Sequence, residues 1–252
     1  MARMYDYYLG GSHHTAVDRA AAERILAAMP ALPVIARENR AFLRRAVREL
    51  VGLGVRQFLD VGSGIPTAGN VHEIAQESAP DSRVLYVDVD PEAVAHSNEI
   101  LGGNEGAAAI QADLGVPADI LGHPETVRLL DFDRPVALLL MSVLQFVPDE
   151  AAVPGVRALR EALPAGSFLG LTHVAVEAVT PGPKDTVDSV YGGTNAPTTT
   201  PRTRAQITDF FGGWPLLQPG LVWAPQWRPD GDPGPVDPVT MPILAGVAHR
   251  PA

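Results

Sequence analysis

Between residues 57 and 172 the chain alternates five short apolar runs with longer stretches of helical periodicity, and this alternation restricts the fold more than any other feature. The runs are 57–61, 83–89, 107–111, 135–141 and 167–172. Helical spacing occupies 71–78, 91–101 and 149–163, with Pro91 in a favoured first-turn position, Pro154-Gly155 as an expected bend, and a short helix near 125–130. Strands that alternate regularly with helices pair in parallel, because each crossover returns the chain in the same direction. The run 135–141 is apolar throughout, as a central strand covered on both faces requires. Five parallel strands are therefore expected.

The flanks add to this frame. Apolar residues recur at helical spacing over 16–29 (Val17, Ala20, Ala21, Ile25, Ala28) and over 36–53 (Phe42, Leu43, Val47, Leu50), with Gly54 as the stop. Residues 1–54 thus read as a helical cap. The Pro-, Gly- and Thr-rich segment 180–202 reads as a loop-and-helix lid, and 204–211 as a helix. Strand-like pieces at 216–224 and 242–248, framing the Pro/Gly-rich stretch 225–238, suggest a closing antiparallel pair. No repeat or boundary divides the 252 residues, so a single domain over 1–252 is expected.

Composition excludes several functions. With 46% hydrophobic and 19% charged residues the chain can pack a core. A formal net charge of −10, with no basic run, opposes a phosphate backbone, so no nucleic-acid partner is expected. There is no cysteine, which removes disulfides, thiolate metal sites and a thiol nucleophile. The start is polar and aromatic, and no segment approaches the roughly 18 apolar residues of a membrane span. The expectation is a cytoplasmic enzyme with no membrane partner.

Chemistry concentrates at strand ends. In Phe58-Leu59-Asp60-Val61-Gly62-Ser63-Gly64, a strand ends in an acid followed by Gly-x-Gly, which lets backbone approach a ligand. Alone this fits an ordinary tight turn equally well. A dinucleotide fold would place a third glycine shortly afterwards, where Pro66 and Thr67 stand. The next strand ends in Asp88-Val89-Asp90-Pro91: Asp88 sits where such folds bind ribose hydroxyls, whereas Asp90 suits a helix cap. Asp113 ends the third strand and could accept from an adenine amino group. Three successive strand-end acids around one Gly-x-Gly point to an adenosine held without a phosphate requirement.

The order of these motifs resembles class I S-adenosylmethionine-dependent methyltransferases. More specifically, the segments from Arg3 to Gly11, Glu38-Asn39-Arg40 to Val47, Gly64-Ile65-Pro66-Thr67 with Asn70-Val71-His72-Glu73, Tyr86 to Pro91, 204–211 and Gln226-Trp227-Arg228-Pro229 resemble an actinobacterial methyltransferase family long described as a domain of unknown function. The resemblance implies a Rossmann-like α/β fold. Its mostly parallel seven-stranded sheet carries an antiparallel C-terminal strand, helices on both faces and extra N-terminal helices. It also implies S-adenosyl-L-methionine as cofactor, S-adenosyl-L-homocysteine as product, and a segment around Tyr5 to Gly11 closing over the pocket. The cofactor-binding set then comprises Tyr8, Gly10, Asp60, Gly62, Ser63, Gly64, Asp88, Val89, Asp113, Leu114 and Met141. This chain departs from the family in having Ser12-His13-His14-Thr15 where a Lys-Asp-Asn-Phe-like stretch is usual, and Gln145 where His is frequent. His14, Gln145 and Tyr191 are accordingly the candidate substrate contacts.

Transfer of a methyl from a sulfonium needs alignment and exclusion of water, and a general base if the acceptor is a hydroxyl. His173, at the end of the fifth strand, is the candidate base, with a hydrogen-bonded structural histidine as the alternative. His13 and His14 are adjacent and would point apart on a helix, so no metal site is expected. His72 suits a cap or sheet contact. Trp214, Trp223 and Trp227 with Tyr191 could wall the acceptor or pack the core. The expected function is methyl transfer to an O, N or C nucleophile of a small molecule, with secondary metabolism as a candidate setting. An S-adenosylmethionine-binding sensor or scaffold is the alternative, and an NAD-dependent dehydrogenase a weaker one.

Overall fold

The computed structural model describes residues 2–65, 69–178, 189–190 and 199–251. Three helices, α1 (Ala2–Tyr8), α2 (Ala16–Ala28) and α3 (Leu32–Gly52), precede β1 (Gln57–Val61). The chain continues through α4 (Val71–Ser78), β2 (Arg83–Asp88), α5 (Pro91–Ile100), β3 (Ala107–Gln111), α6 (Pro117–Leu121), α7 (Pro124–Leu129) and β4 (Ala137–Met141). It ends with α8 (Asp149–Ala162), β5 (Phe168–Val174), α9 (Arg204–Asp209), β6 (Val222–Trp223) and β7 (Ile243–His249).

The seven strands lie in the order β3-β2-β1-β4-β5-β7-β6, with β1 to β5 parallel and β7 antiparallel to both β5 and β6. Register places Leu59 between Leu85 and Leu138, and Asp60 between Tyr86 and Leu139. Because side chains alternate across a strand, Phe58 and Tyr86 pack with α3 and α4 on one face, whereas Leu59, Leu85 and Leu138 pack against α8 on the other. The chain runs outward from β1 to β3, then returns to lay β4 on the other side of β1. Such a reversal leaves a crevice at the carboxyl ends of the two central strands.

Helix α3 crosses one face of the sheet and ties down the C-terminal segment. Buried Arg45 donates from Nε to the Trp227 carbonyl at 2.8 Å and from Nη2 to the Ala224 carbonyl at 2.7 Å. Trp227 itself is fully buried, edge-on to Phe42. Thr15 caps α2 through a reciprocal bond with Asp18. A separate apolar cluster of Met4, Tyr8, Ala22, Ile25 and Ala36 holds α1 and α2 on α3.

The structure departs from the sequence expectation at several points. Helix α1, seven residues rich in tyrosine, shows no apolar period and was not expected. Helix α3 starts at Leu32, with Pro33 in its first turn, rather than at 36. The expected strand over 216–224 is reduced to Val222–Trp223 and a lone bridge from Leu216 to Ala248, because Pro219 has no amide to offer a ladder. Helix α8 runs on through Pro154. Its Gly155 leaves room for the Leu114 carbonyl, which a Cβ there would strike. Most of the expected lid over 180–202 lies outside the described residues.

That close approach is checkable. Gly155→Ala is expected to destabilise the fold by about 1–3 kcal/mol, the usual cost of overpacking. Urea unfolding should show a lowered midpoint with an unchanged slope, and an unaltered midpoint would mean that α8 and the Leu114 loop can part freely.

Candidate functional site

A cavity of about 700 Å3 opens at the carboxyl ends of β1 to β4, roofed by α1 and α2. Its floor includes Asp60, Gly62, Ser63 and Gly64 after β1, Asp88 and Val89 after β2, Asp113 and Leu114 after β3, and Met141 after β4. Nine of the eleven residues expected at the cofactor thus line one space. The other two, Tyr8 and Gly10, do not line it. Tyr8 is turned into the apolar cluster with α2 and α3. Gly10, with φ of +81°, reverses the chain after α1, a conformation that side-chain-bearing residues rarely adopt.

The glycine turn is shaped by close contacts. Gly62 has φ of +76°, and a Cβ on it would collide with Val143, so its bare backbone lets the turns after β1 and β4 meet. Gly64 donates its N–H to Asp88 Oδ2 at 2.8 Å, and Asp90 donates its N–H to Asp88 Oδ1 at 2.9 Å. Asp88 therefore braces the turn as well as facing the cavity. Burial raises its carboxyl above the usual range, opposed by those two N–H bonds. Asp90 caps α5 through the Glu92 N–H at 3.0 Å, as its position suggested. Asp113 sits at the exposed rim, accepting from the Gly115 N–H at 2.7 Å.

Asp60 is only 4% exposed, and burial pushes its carboxyl up to about 7, Arg40 opposing the shift and Asp88 reinforcing it. Arg40 reaches from α3 across the end of the glycine turn, donating to the Gly69 carbonyl at 3.0 Å and the Asn70 side chain at 3.3 Å. Above it a buried polar chain crosses the site. Thr172 Oγ1 donates to Asn39 Oδ1 at 2.6 Å, Asn39 Nδ2 donates to the Tyr5 hydroxyl at 2.8 Å, and that hydroxyl donates to the Ala36 carbonyl. Thr172 also accepts the Ser142 N–H at 2.8 Å. Ser142 carries φ of +53°, an uncommon backbone state for a non-glycine residue, at the end of β4 and on the cavity wall.

The expected catalytic and substrate residues fall elsewhere. His173 is fully buried on the sheet face opposite to Thr172 and does not line the cavity. Its Nδ1 lies 2.7 Å from the Val174 carbonyl, which can only accept, so Nδ1 carries the hydrogen and Nε2 accepts from Arg202 Nη1 at 2.8 Å. Burial, with the Arg202 charge acting in the same direction, pushes the imidazole down to about 4. Both ring nitrogens are engaged and the ring lies off the cavity, which does not fit the general-base expectation and matches the hydrogen-bonded alternative. Gln145 is buried in a short turn after β4, where its carbonyl accepts the Thr200 N–H, and it does not line the cavity. His14 lies behind Asp6 rather than on the wall. Tyr191 lies outside the described residues. None of Trp214, Trp223 and Trp227 lines the cavity. His72 contacts the sheet through the Tyr86 hydroxyl, 2.8 Å from its Nδ1.

Sequence reasoning missed Tyr5, Asp6, Asn39, Arg40 and Ser142 on the wall. The first four lie inside segments that carried the family resemblance, which was their only signal. Ser142 had none, since its backbone conformation arises from tertiary contacts.

The side chains suit S-adenosylmethionine. Carboxylates at three strand ends accept from hydroxyl and amino groups and favour a positive charge, whereas a pyrophosphate beside Asp60 and Asp88 would meet repulsion. The comparisons agree. A family model described as S-adenosyl methyltransferase matches residues 1–251, and the chain belongs to that family. It is an S-adenosylmethionine-dependent methyltransferase. A DUF574 family protein from Streptomyces avermitilis is 40% identical, with a TM-score of 0.92 and coverage of 99% of this chain and 97% of that one. A Thermobifida fusca protein described as a candidate methyltransferase is 36% identical, again with a TM-score of 0.92, covering 100% and 95%. An O-methyltransferase family protein from Burkholderia thailandensis shares the fold alone, at 12% identity and a TM-score of 0.56 over 83% of this chain and 55% of that one. No match was found among curated proteins.

Two buried groups give opposite pH signatures. Asp60 holds its proton more tightly folded than unfolded, so its contribution favours folding below pH about 4 and is lost as pH rises through about 7. Asp60→Asn is expected to stabilise the ligand-free protein by about 1–3 kcal/mol at pH 8, a gain that vanishes near pH 4. Equal effects at both pH values would remove burial as the cause. His173 resists protonation when folded, so its contribution is complete above pH about 6.5 and declines as pH falls towards 4. That decline should be on the order of 2–3 kcal/mol and absent from His173→Gln, both measured by denaturant unfolding.

Proposed function

We propose that this methyltransferase transfers the methyl group to an oxygen, nitrogen or carbon nucleophile of a small molecule held under α1. The observation that carries the reading is the convergence of Asp60, Asp88 and Asp113 on one roofed cavity. In this reading Asp88 accepts from the ribose hydroxyls and Asp113 from the adenine amino group, each charge-assisted bond contributing about 1.5–3 kcal/mol where water is excluded. The turn Gly62-Ser63-Gly64 lies under the methionine part, and Met141 lies beside the reacting centre. The bound cofactor supplies a methyl group activated by a sulfonium. The chain supplies alignment and a dry site, which together can contribute about 7–11 kcal/mol in favourable cases.

The acceptor's share of the cavity is walled by Tyr5, Asn39, Ser142 and Phe146, a mixture of apolar surface and fixed hydrogen-bonding groups. The tyrosine hydroxyl, whose ionisation burial disfavours, serves there as a hydrogen-bonding group and not as a base. A net charge of −10 and the small, enclosed site favour a small molecule over nucleic acid.

Calorimetry with S-adenosylhomocysteine tests the assignment. Asp88→Ala is expected to weaken binding at least tenfold and Asp113→Ala, at the exposed rim, by less, with both variants folded by circular dichroism. Unchanged affinity in both would contradict these roles.

A further inference from the structure

We propose that Asp6 is the recognition group for the methyl acceptor, and that it takes a positively charged amine. This rests on the function proposed above and adds the chemical class of the molecule it acts on. Asp6 lies on the cavity-facing side of α1, one turn before Leu9, and is only 2% exposed. Its two oxygens differ. Oδ2 accepts the His13 N–H at 2.7 Å and faces the His14 ring at 3.5 Å, whereas Oδ1 is buried with no hydrogen-bond partner. The His13 ring stands 3.9 Å from Oδ1, beyond hydrogen-bond distance, and among the described residues no arginine or lysine lies within ion-pair distance of either oxygen. A buried carboxylate oxygen left unsatisfied costs folding free energy, and such groups persist where a ligand completes them.

The surrounding chain is built to keep it there. Gly11 packs its bare Cα against the carboxylate, and a Cβ at that position would collide with both oxygens. Gly10 supplies the left-handed turn that brings Gly11 and the His13 amide back onto Asp6. The Gly-Gly pair thus fixes the carboxylate, and neither glycine lines the cavity. The roof lining the same space mixes apolar side chains, among them Leu9, Ala21 and Phe146, with the charged Arg3, Asp18 and Arg24. A buried carboxylate oxygen with no hydrogen-bond partner, beside apolar side chains, favours a hydrophobic molecule bearing an ammonium, because a charged donor recovers more of the cost of burying the carboxylate than a neutral one. The strand-end acids stand ready for the cofactor's donors, which leaves Asp6 for the other reactant.

The test uses the wild-type chain saturated with S-adenosylhomocysteine, so that the cofactor's own amino group cannot account for the result. Phenethylamine and hexylamine are titrated against phenethyl alcohol and hexanol, with binding read by ligand-observed NMR. The expected result is at least a tenfold preference for each amine, abolished in Asp6→Asn and in Gly11→Ala, while Asp6→Asn keeps its affinity for S-adenosylhomocysteine within twofold. Amines binding no better than their alcohols, or equally well to Asp6→Asn, would overturn the proposal. A loss of S-adenosylhomocysteine affinity in Asp6→Asn would also overturn it, by giving the carboxylate to the cofactor. Absence of S-adenosylhomocysteine binding to the wild type would instead strike the functional reading beneath it.

Discussion

The site depends on the removal of Asp60 from water. It sits where β1 and β4 part, in register with Tyr86 on one side and Leu139 on the other, and burial holds its carboxyl near neutrality in the ligand-free chain. A carboxylate so placed is costly unless positive charge approaches it. Arg40 supplies part of that charge from α3, and a sulfonium cofactor would supply more. Burial of Asp60 thus costs the fold stability at a position that faces the cofactor cavity, a common arrangement where stability and function compete for the same residues.

Backbone proximity does as much here as side-chain chemistry. Gly62 lets the turns after β1 and β4 meet, Gly155 lets α8 approach the Leu114 loop, and Gly11 lets α1 fold its carboxylate inward. Each contact brings a different element to the rim of the same cavity, and each is closed to any residue with a Cβ. The buried chain from Thr172 through Asn39 to Tyr5 then joins the sheet to the roof, so that the position of α1 is set by hydrogen bonds reaching the tip of β5.

The far side of β5 has the opposite task. His173, Arg202 and Asp149 form a closed polar cluster in which Arg202 donates to the Leu144 and Val147 carbonyls, to His173 Nε2 and to Asp149 at 2.8 Å. The Arg202 guanidinium there holds the loop after β4 against the start of α8 and the end of β5. Adjacent residues of one strand thus serve separate ends: Thr172 supports Asn39 and Ser142 on the cavity wall, and His173 faces the scaffold.

The sequence by itself determined the parallel sheet, the helices that flank it and the three acids at its edge, since each is written in a local period or at a fixed distance from a strand end. Asp60, Asp88 and Asp113 were legible because strand termini and glycine turns are short-range signals. Helix α1 was not, because seven residues with three tyrosines carry no period, and its place is fixed by contacts with α2 and α3. That His173, Gln145 and His14 lie off the cavity was hidden for a related reason. Which face of an element meets a cavity is settled by packing across the fold. Only the tertiary structure, through long-range contacts such as Arg202 on His173 and Asn39 on Tyr5, decided which polar groups were consumed by the scaffold and which were left facing a ligand.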